Sequence, residues 1–549
     1  MTPKPSPRTL IEIKAVEPFP DKGVDALRVE SEPLIQARFA SYLSDESGLG
    51  PGKASVLFIP RNEQQVALFL KEMNQRKMPV TVSGGRTGIV GGAVPQGDAL
   101  ISLDNMNQIT GIKWNKDSRE WSIIAQPGIR LRELQQKIAT KSLGKTGDGP
   151  EWKDFPNFQN DPGQYFYPPD PTEDTASLGG TIATDASGAR TYFYGRTREH
   201  VRAIRIVLAN GEVIQLRRGE HLIDSSNLVR LHHLDGTTTD IPIPTYERTE
   251  VKCATGYYSK KNMDLLDAFV GSEGTLGIIT SIEVSLQKKP QTAMFLAFFR
   301  SIDDAIAFVI QLRAVRSEVL TFHSLEYLDA NSLRLLQDIN EERKWGMKLP
   351  NGGAAAILSE FEYNKIEEAV QYLIEQLHTN HSMVNNAISG IDERDKERLR
   401  ILRHSIPEGI NRIIAQRKKD IPGLHKLGTD TAVPDEHLVD IMKLYNNRLE
   451  ESGLDYYVIG HIAENHLHVN ILPRSLPELE AGQGVVRRLA QDAVMMGGVV
   501  SAEHGIGKLK RDFMRLMFGE MEIQQMIATK RAIDPNWIMS RGNIFNAEI

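Results

Sequence analysis

Ser83-Gly84-Gly85-Arg86-Thr87-Gly88 lies between two strand-like runs, Met78-Pro79-Val80-Thr81-Val82 and, past Gly91-Gly92, Ala99-Leu100-Ile101-Ser102-Leu103. Glycines at this density let backbone N–H groups converge on one point, with no Cβ to keep a phosphate away. A Rossmann loop needs strand, glycine turn and then helix. Here the next element reads as strand, and no Gly-x4-Gly-Lys-Ser/Thr string occurs. What remains is a strand–loop–strand anion cradle.

Two more glycine segments follow. Ser177-Leu178-Gly179-Gly180 leads to Ser187-Gly188, and Gly271-Ser272-Glu273-Gly274-Thr275-Leu276-Gly277-Ile278 runs into the strand-like Ile282-Glu283-Val284-Ser285-Leu286. One such loop is more often a turn than a ligand site. Three in order, from Val56 to Leu286, resemble the FAD-binding domain of the vanillyl-alcohol-oxidase-type flavoproteins, the PCMH-type fold. The resemblance implies an α+β FAD-binding domain of two α+β subdomains, followed by an α+β cap with an antiparallel sheet. It implies that Ser83, Gly84, Gly85, Arg86, Thr87 and Gly88 hold the pyrophosphate, and that Pro169, Asp170, Ser177, Gly180, Ser187, Gly188 and Ile278 line the rest of FAD. Some relatives attach the flavin through a histidine in the first loop. Arg86 stands there, so the FAD is expected to be non-covalent.

The chain has 549 residues, enough for two or three domains. Its 65 basic and 71 acidic residues leave a charge of −6, with no nucleic-acid footprint. No apolar run of about 18 residues is present, so no membrane span is expected, and the proline-rich start at 1–10 lacks a secretion core. A cytoplasmic protein is expected, peripheral to a membrane only through a partner; a homodimer is compatible with the sequence. Cys253 is the single cysteine, which excludes an intrachain disulfide and an iron–sulfur cluster, since a cluster needs about four. Electrons reaching a flavin must therefore leave to an external acceptor.

The expected domains are a peripheral extension at 1–50 with a helix at 33–43, the FAD domain at 51–290, and the cap at 291–549. Segments 147–167 and 217–249 read as inserts. The second is surface decoration, and the first either covers the flavin site or docks a partner. Within the cap, Ala293-Met294-Phe295-Leu296-Ala297-Phe298-Phe299 reads as a buried strand and 302–315 as a helix, giving a sheet with helices on one face.

The densest chemical cluster is Gly460-His461-Ile462-Ala463-Glu464-Asn465-His466-Leu467-His468-Val469-Asn470. As a hairpin with Glu464-Asn465 at its tip, it sets Ile462 against Leu467 and His461 directly against His468. Alternation then puts His466, His468 and Asn470 on the face of His461, with Leu467, Val469 and Ile471 toward the core. Glu503, in Ser501-Ala502-Glu503-His504-Gly505-Ile506-Gly507-Lys508, offers a third ligand for a zinc or manganese-type site. On periodicity alone these histidines read equally well as surface residues or hydrogen-bond partners.

These motifs resemble the cap of the FAD-linked D-2-hydroxyacid dehydrogenases, which include D-lactate dehydrogenases, the glycolate oxidase flavin subunit and D-2-hydroxyglutarate dehydrogenase. The resemblance implies a divalent metal (zinc, manganese or iron) on His461, His468 and Glu503, with His504 as base and Asn470 near the substrate. It further implies that Arg403, in Leu402-Arg403-His404-Ser405-Ile406-Pro407, and Lys426, in the segment ending Asp430-Thr431-Ala432-Val433-Pro434, hold the substrate carboxylate. Pro407 replaces the usual hydroxyl residue, Ile462-Ala463-Glu464-Asn465 the usual Gly-Asp-Gly-Asn turn, and Ser540 to Phe545 the usual Asn-Pro-Gly-Lys-Ile-Phe string. The expected reaction oxidises a small 2-hydroxyacid of D configuration to the 2-oxoacid. Hydride passes to the flavin and electrons go on to an electron-transfer flavoprotein, an iron–sulfur partner or a quinone. The competing readings are a flavin-dependent alkyl-transfer enzyme, a metal-dependent hydrolase and a non-catalytic flavoprotein subunit.

Overall fold

Strand Val80–Ser83 lies parallel to Gln96–Ser102, and the glycine loop alone carries the chain back between them. The small sheet runs Leu27–Val29, Lys53–Ile59, Gln96–Ser102, Val80–Ser83. Helix Glu63–Gln75 covers one face, burying Val66, Phe69, Leu70 and Met73 against Val56, Phe58, Val80 and Ile101. Asn62 starts that helix by accepting from the Gln65 amide. The other face packs Leu57, Ile59 and Leu100 against Ile35 and Leu43. The computed structural model describes residues 10–546, apart from 21, 22, 24, 145, 146, 148, 225, 315–318, 344 and 345.

The second sheet has eight strands, in the order Thr238–Pro242, Leu228–His232, Ile11–Val16, Val213–Arg217, Val201–Val207, Ile278–Ser285, Glu120–Ala125, Ile109–Asn115. The N-terminal segment is thus not a peripheral extension. Ile11–Val16 pairs parallel with Leu228–His232 and antiparallel with Val213–Arg217. Nor is 217–249 surface decoration: its hairpin forms the sheet edge, with Val229, Leu231 and Ile241 in the core. A short amphipathic strand shows its partner only after folding, so the sequence displayed neither pairing. The insert at 147–167, of which 148 lies outside the described residues, packs beside strand Ile109–Asn115. Phe158 of the insert is fully buried edge-on to Trp121, and strand Tyr165–Phe166 pairs with Gln287–Lys288.

The third sheet is antiparallel: Ile388–Gly390, Thr292–Phe299, Ala355–Tyr363, Leu320–Asp329, Tyr456–His461, His466–Ile471, Leu427–Gly428, with Thr431–Ala432 also on His466–Ile471. Helices cover both of its faces rather than one. Ala293, Phe295, Ala297 and Phe299 pack against helices Ile302–Ala314, Ile366–Thr379 and Leu438–Ser452. Met294, Leu296 and Phe298 pack against helices Ala330–Arg343 and Glu393–Asp420. An unbroken apolar run is what a strand buried on two sides requires. The proline-rich stretch through residue 9 and residue 315, expected to end a helix, lie outside the described residues.

The C-terminal segment returns to the first glycine strand. Val80 N–H donates to Ile538 O at 2.7 Å, and Ser540 N–H to Val80 O at 2.8 Å. No helix among the described residues is long and apolar enough to cross a membrane.

Candidate active site

The three glycine segments meet. Ser177 Oγ accepts from the amides of Gly85 at 3.0 Å and Gly180 at 3.3 Å, joining the first to the second. Asn543 Nδ2 donates to Gly92 O and Glu273 O, both at 3.2 Å, joining the first to the third. Lys508 Nζ completes this knot on Asn543 Oδ1 at 3.0 Å. Asn543 thus bridges two glycine segments where the C-terminal string departs from the expected pattern.

Among the described residues, the amides of Arg86, Thr87, Gly88 and Ile89 bond to no other group, and the space beside Gly88 is open. A loop with free N–H groups and an unfilled flank fits a diphosphate. Arg86 and Arg130 share Asp104 at 2.9 and 2.8 Å, leaving one net positive charge beside the loop. The Arg86 guanidinium also lies over the Tyr42 ring, so it braces the loop instead of waving in solvent. Asp170 meets Gly188 so closely that a Cβ on Gly188 would stand 2.0 Å from Asp170 O. Burial lifts the Asp170 carboxyl to about 6 against the pull of Arg190. The Ile278 side chain belongs to the core with Val207 and Ile538.

The histidine hairpin differs in register from the expectation. His461 pairs with His466, Gly460 with Leu467 and Ile459 with His468. The turn is a 3-10 segment, Ile462–Glu464, closed by Asn465 in the left-handed region at φ 53°. A two-residue tip gives way to a four-residue loop because Asn465 Nδ2 is anchored on Val433 O at 3.0 Å. The slip is even, so the faces survive: His461, His466, His468 and Asn470 still share one side. Leu467, Val469 and Ile471 are buried in the core as expected.

Glu503 sits among these rings. From it, His461 Nε2 is 3.4 Å away, His466 Nδ1 3.8 Å and His468 Nε2 3.8 Å. Ser187 Oγ reaches Glu503 Oε1 at 3.2 Å, so a residue expected to line FAD touches an expected metal ligand. Asp430 holds the Glu503 loop. Its carboxylate accepts from the amides of Glu503 at 3.2 Å and His504 at 2.9 Å, from Ser501 Oγ at 2.6 Å and from Lys510 Nζ at 2.8 Å. The third glycine segment docks there too, since Glu273 accepts from Ile506 N and Gly507 N at 2.7 and 2.6 Å.

Electrostatics differ from ring to ring. Burial opposes charge on His461, yet the Glu326 and Glu503 carboxylates raise it to about 9. Burial and the neighbouring imidazoles hold His468 well below the usual range. Burial keeps His504 near 4, with Asp430 opposing. Glu503 stays ionised despite burial because Lys252 and His461 lie beside it.

The two expected substrate cations are placed differently from each other. Arg403 donates through Nε and Nη2 to Glu326 Oε2 at 3.1 and 3.0 Å, while Nη1 lies 3.5 Å from Thr172 Oγ1. Glu326 Oε1 bonds His461 Nδ1, so one carboxylate ties the arginine to the hairpin. Pro407 follows inside the same helix, where its missing N–H leaves the Arg403 carbonyl without its helical partner. Lys426 bonds Asn411 Oδ1 at 3.2 Å rather than any member of the cluster. Asn470 Nδ2 donates to His468 O at 3.2 Å.

Sequence reasoning missed Glu326, Lys252 and the role of Asp430. A carboxylate between Leu325 and Tyr327 in the buried strand Leu320–Asp329 was the one available signal for Glu326. Lys252 offered none.

A family model described as the C-terminal domain of FAD linked oxidases matches residues 288–544, and one described as an FAD binding domain matches 54–151 and 149–217. This chain belongs to the FAD-linked oxidases. As such it is an FAD-dependent oxidoreductase with the FAD-binding domain expected from its glycine segments. The FAD-linked oxidase is 27% identical to a D-lactate dehydrogenase of Anaerostipes hadrus, over 92% of each chain. It is 25% identical to a glycolate oxidase subunit of Bacillus subtilis, over 98% of this chain and 96% of that one. In fold it is similar to a solved alkyldihydroxyacetonephosphate synthase, with a TM-score of 0.59, 16% identity, and coverage of 93% of this chain and 81% of the other.

Proposed function

We propose that this FAD-linked oxidase oxidises a small D-2-hydroxyacid, in the class of lactate, glycolate or 2-hydroxyglutarate, to the 2-oxoacid. The contact between Ser187 and Glu503 carries the reading, because it sets the imidazole–carboxylate cluster against the segment expected to line FAD. When bound, non-covalent FAD supplies a two-electron acceptor for the C2 hydride, and a divalent metal supplies a Lewis acid for the 2-hydroxyl. His461, His468 and Glu503 would hold that metal. Their fit rests on donor type and on outer hydrogen bonds such as His461 Nδ1 to Glu326.

Arg403 receives the substrate carboxylate on Nη1, replacing its weak bond to Thr172, while Glu326 keeps the guanidinium in place. His504 takes the hydroxyl proton at Nε2, with Nδ1 turned to Asp430 Oδ2 at 3.3 Å to stabilise the imidazolium. Lys426, bonded to Asn411, serves only if it swings inward; Asn470 orients the substrate from the shared face. The electrons would leave to an external acceptor, an electron-transfer flavoprotein, an iron–sulfur protein or a quinone, since Cys253 alone cannot build a cluster.

The test is the visible spectrum of the purified protein, taken anaerobically as D- and L-2-hydroxyacids are added. Bleaching by the D enantiomer, lost on chelation, is expected. A yellow protein that no acid bleaches would overturn the reading.

A further inference from the structure

We infer that His466 is a third imidazole ligand, so that the site takes a first-row transition metal on three ring nitrogens and one carboxylate. The inference rests on the metal reading of the preceding subsection and extends its donor set.

Each ring of the hairpin has one nitrogen engaged on its outer side. His461 Nδ1 bonds Glu326 Oε1, His466 Nε2 bonds Asp430 Oδ1 at 3.0 Å, and His468 Nδ1 faces Thr429 O at 3.4 Å. A carbonyl only accepts, so His468 Nδ1 carries the proton and Nε2 a lone pair. Asp430, already taking Lys510, Ser501 and two amides, likewise accepts from His466 Nε2, so Nδ1 is the ring nitrogen left for an inner partner. His466 Nδ1 and His468 Nε2 both face the Glu503 carboxylate across 3.8 Å. His466 is fully buried and its Nδ1 has no hydrogen-bond partner. A buried ring nitrogen without a hydrogen-bond partner, set 3.8 Å from a carboxylate, is placed to ligate a cation shared with that carboxylate.

Lys252 does not satisfy His466 Nδ1. Its ammonium has three donors, and they go to Glu503 Oε1 at 2.5 Å, Glu464 Oε2 at 2.9 Å and Gly188 O at 3.4 Å. None is left for the rings. The ligand atoms of His461, His466, His468 and Glu503 all lie within 4.8 Å of one another. Outer oxygens on the far nitrogens are the usual support of metal-binding imidazoles, and three such rings with one carboxylate suit zinc, iron or manganese over magnesium or calcium.

The test loads the metal-depleted, FAD-bound full chain with Co(II). Wild type is expected to bind one Co(II) with intense visible d–d bands. His466→Asn should weaken Co(II) binding about 100-fold or more, since loss of even an outer-shell partner costs 10–100-fold, and should change those bands while FAD absorbance is retained. In wild type loaded with Cu(II), pulsed electron paramagnetic resonance should count three imidazoles, a readout that stands if the variant does not fold. Two imidazoles, or a variant with unchanged affinity and bands, would overturn the role of His466 alone. Wild type that takes up no metal would overturn the metal reading itself.

Discussion

Lys252 Nζ lies 2.5 Å from Glu503 Oε1, with both side chains buried. Lysine and glutamate come from different domains, so this ion pair ties the cap to the flavin half through the site itself. Glu464, in the hairpin turn, accepts from the same ammonium at 2.9 Å.

Removing that ammonium strands two carboxylates. Lys252→Met should cost about 3–5 kcal/mol in denaturant unfolding, the range for breaking a buried pair on one side. Adding Glu464→Gln should recover part of the loss. A cost below about 1 kcal/mol would show that water reaches the triad.

Glu326 restrains both Arg403 and His461, and they keep it ionised near 2 in spite of its burial. Glu326→Gln preserves shape but not charge. Flavin bleaching by the 2-hydroxyacid should slow about 10–100-fold, and metal affinity should fall over a similar range. Stopped-flow reduction and metal titration would report the two effects separately. A rate that stays at the wild-type value would remove Glu326 from the site.

Two glycines should behave oppositely. Alanine at Gly188 would drive a Cβ into Asp170 O, whereas at Gly88 nothing lies within 4 Å. Gly188→Ala should therefore destabilise the apoprotein. Gly88→Ala should leave apoprotein melting unchanged and weaken FAD binding, read by fluorescence titration. Unaltered FAD affinity in Gly88→Ala would take the diphosphate out of that loop.

Acid should weaken the fold through two histidines that are not among the proposed ligands. Burial holds His200 and His323 near 4 against an ordinary value of 6.5. The unfolded chain then binds protons that the folded chain refuses. Their contribution is complete above pH 6.5 and is lost as the pH falls toward 4, at roughly 2 kcal/mol each between pH 6.5 and 5. Unfolding free energies at those two pH values, with and without His200→Gln and His323→Gln, would measure it. The variants should flatten the slope.

Glycine spacing in 83–88, 177–188 and 271–278 was enough to read the flavin half, because a loop that meets a phosphate is built from local backbone. The histidine face was legible for a related reason. Side chains alternate along a strand whatever the turn, so the even register slip at Asn465 left His461, His466 and His468 together. The apolar run 293–299 announced burial, but not that helices cover both of its faces. Neither the pairing of Ile11–Val16 nor the partner of Arg403 could be read from their neighbours in sequence.

The sequence by itself determined a glycine-rich loop between two strands, a single cysteine that rules out an intrachain iron–sulfur cluster, and three imidazoles on one side of a strand pair. These are matters of residue type and short-range periodicity. Only the tertiary structure decided that Ser187, Lys252, Glu326, Asp430 and Glu503 meet at those rings. Buried charges must find partners wherever the packed chain brings them, and these five come from segments whose approach depends on two domains docking, which no local pattern encodes.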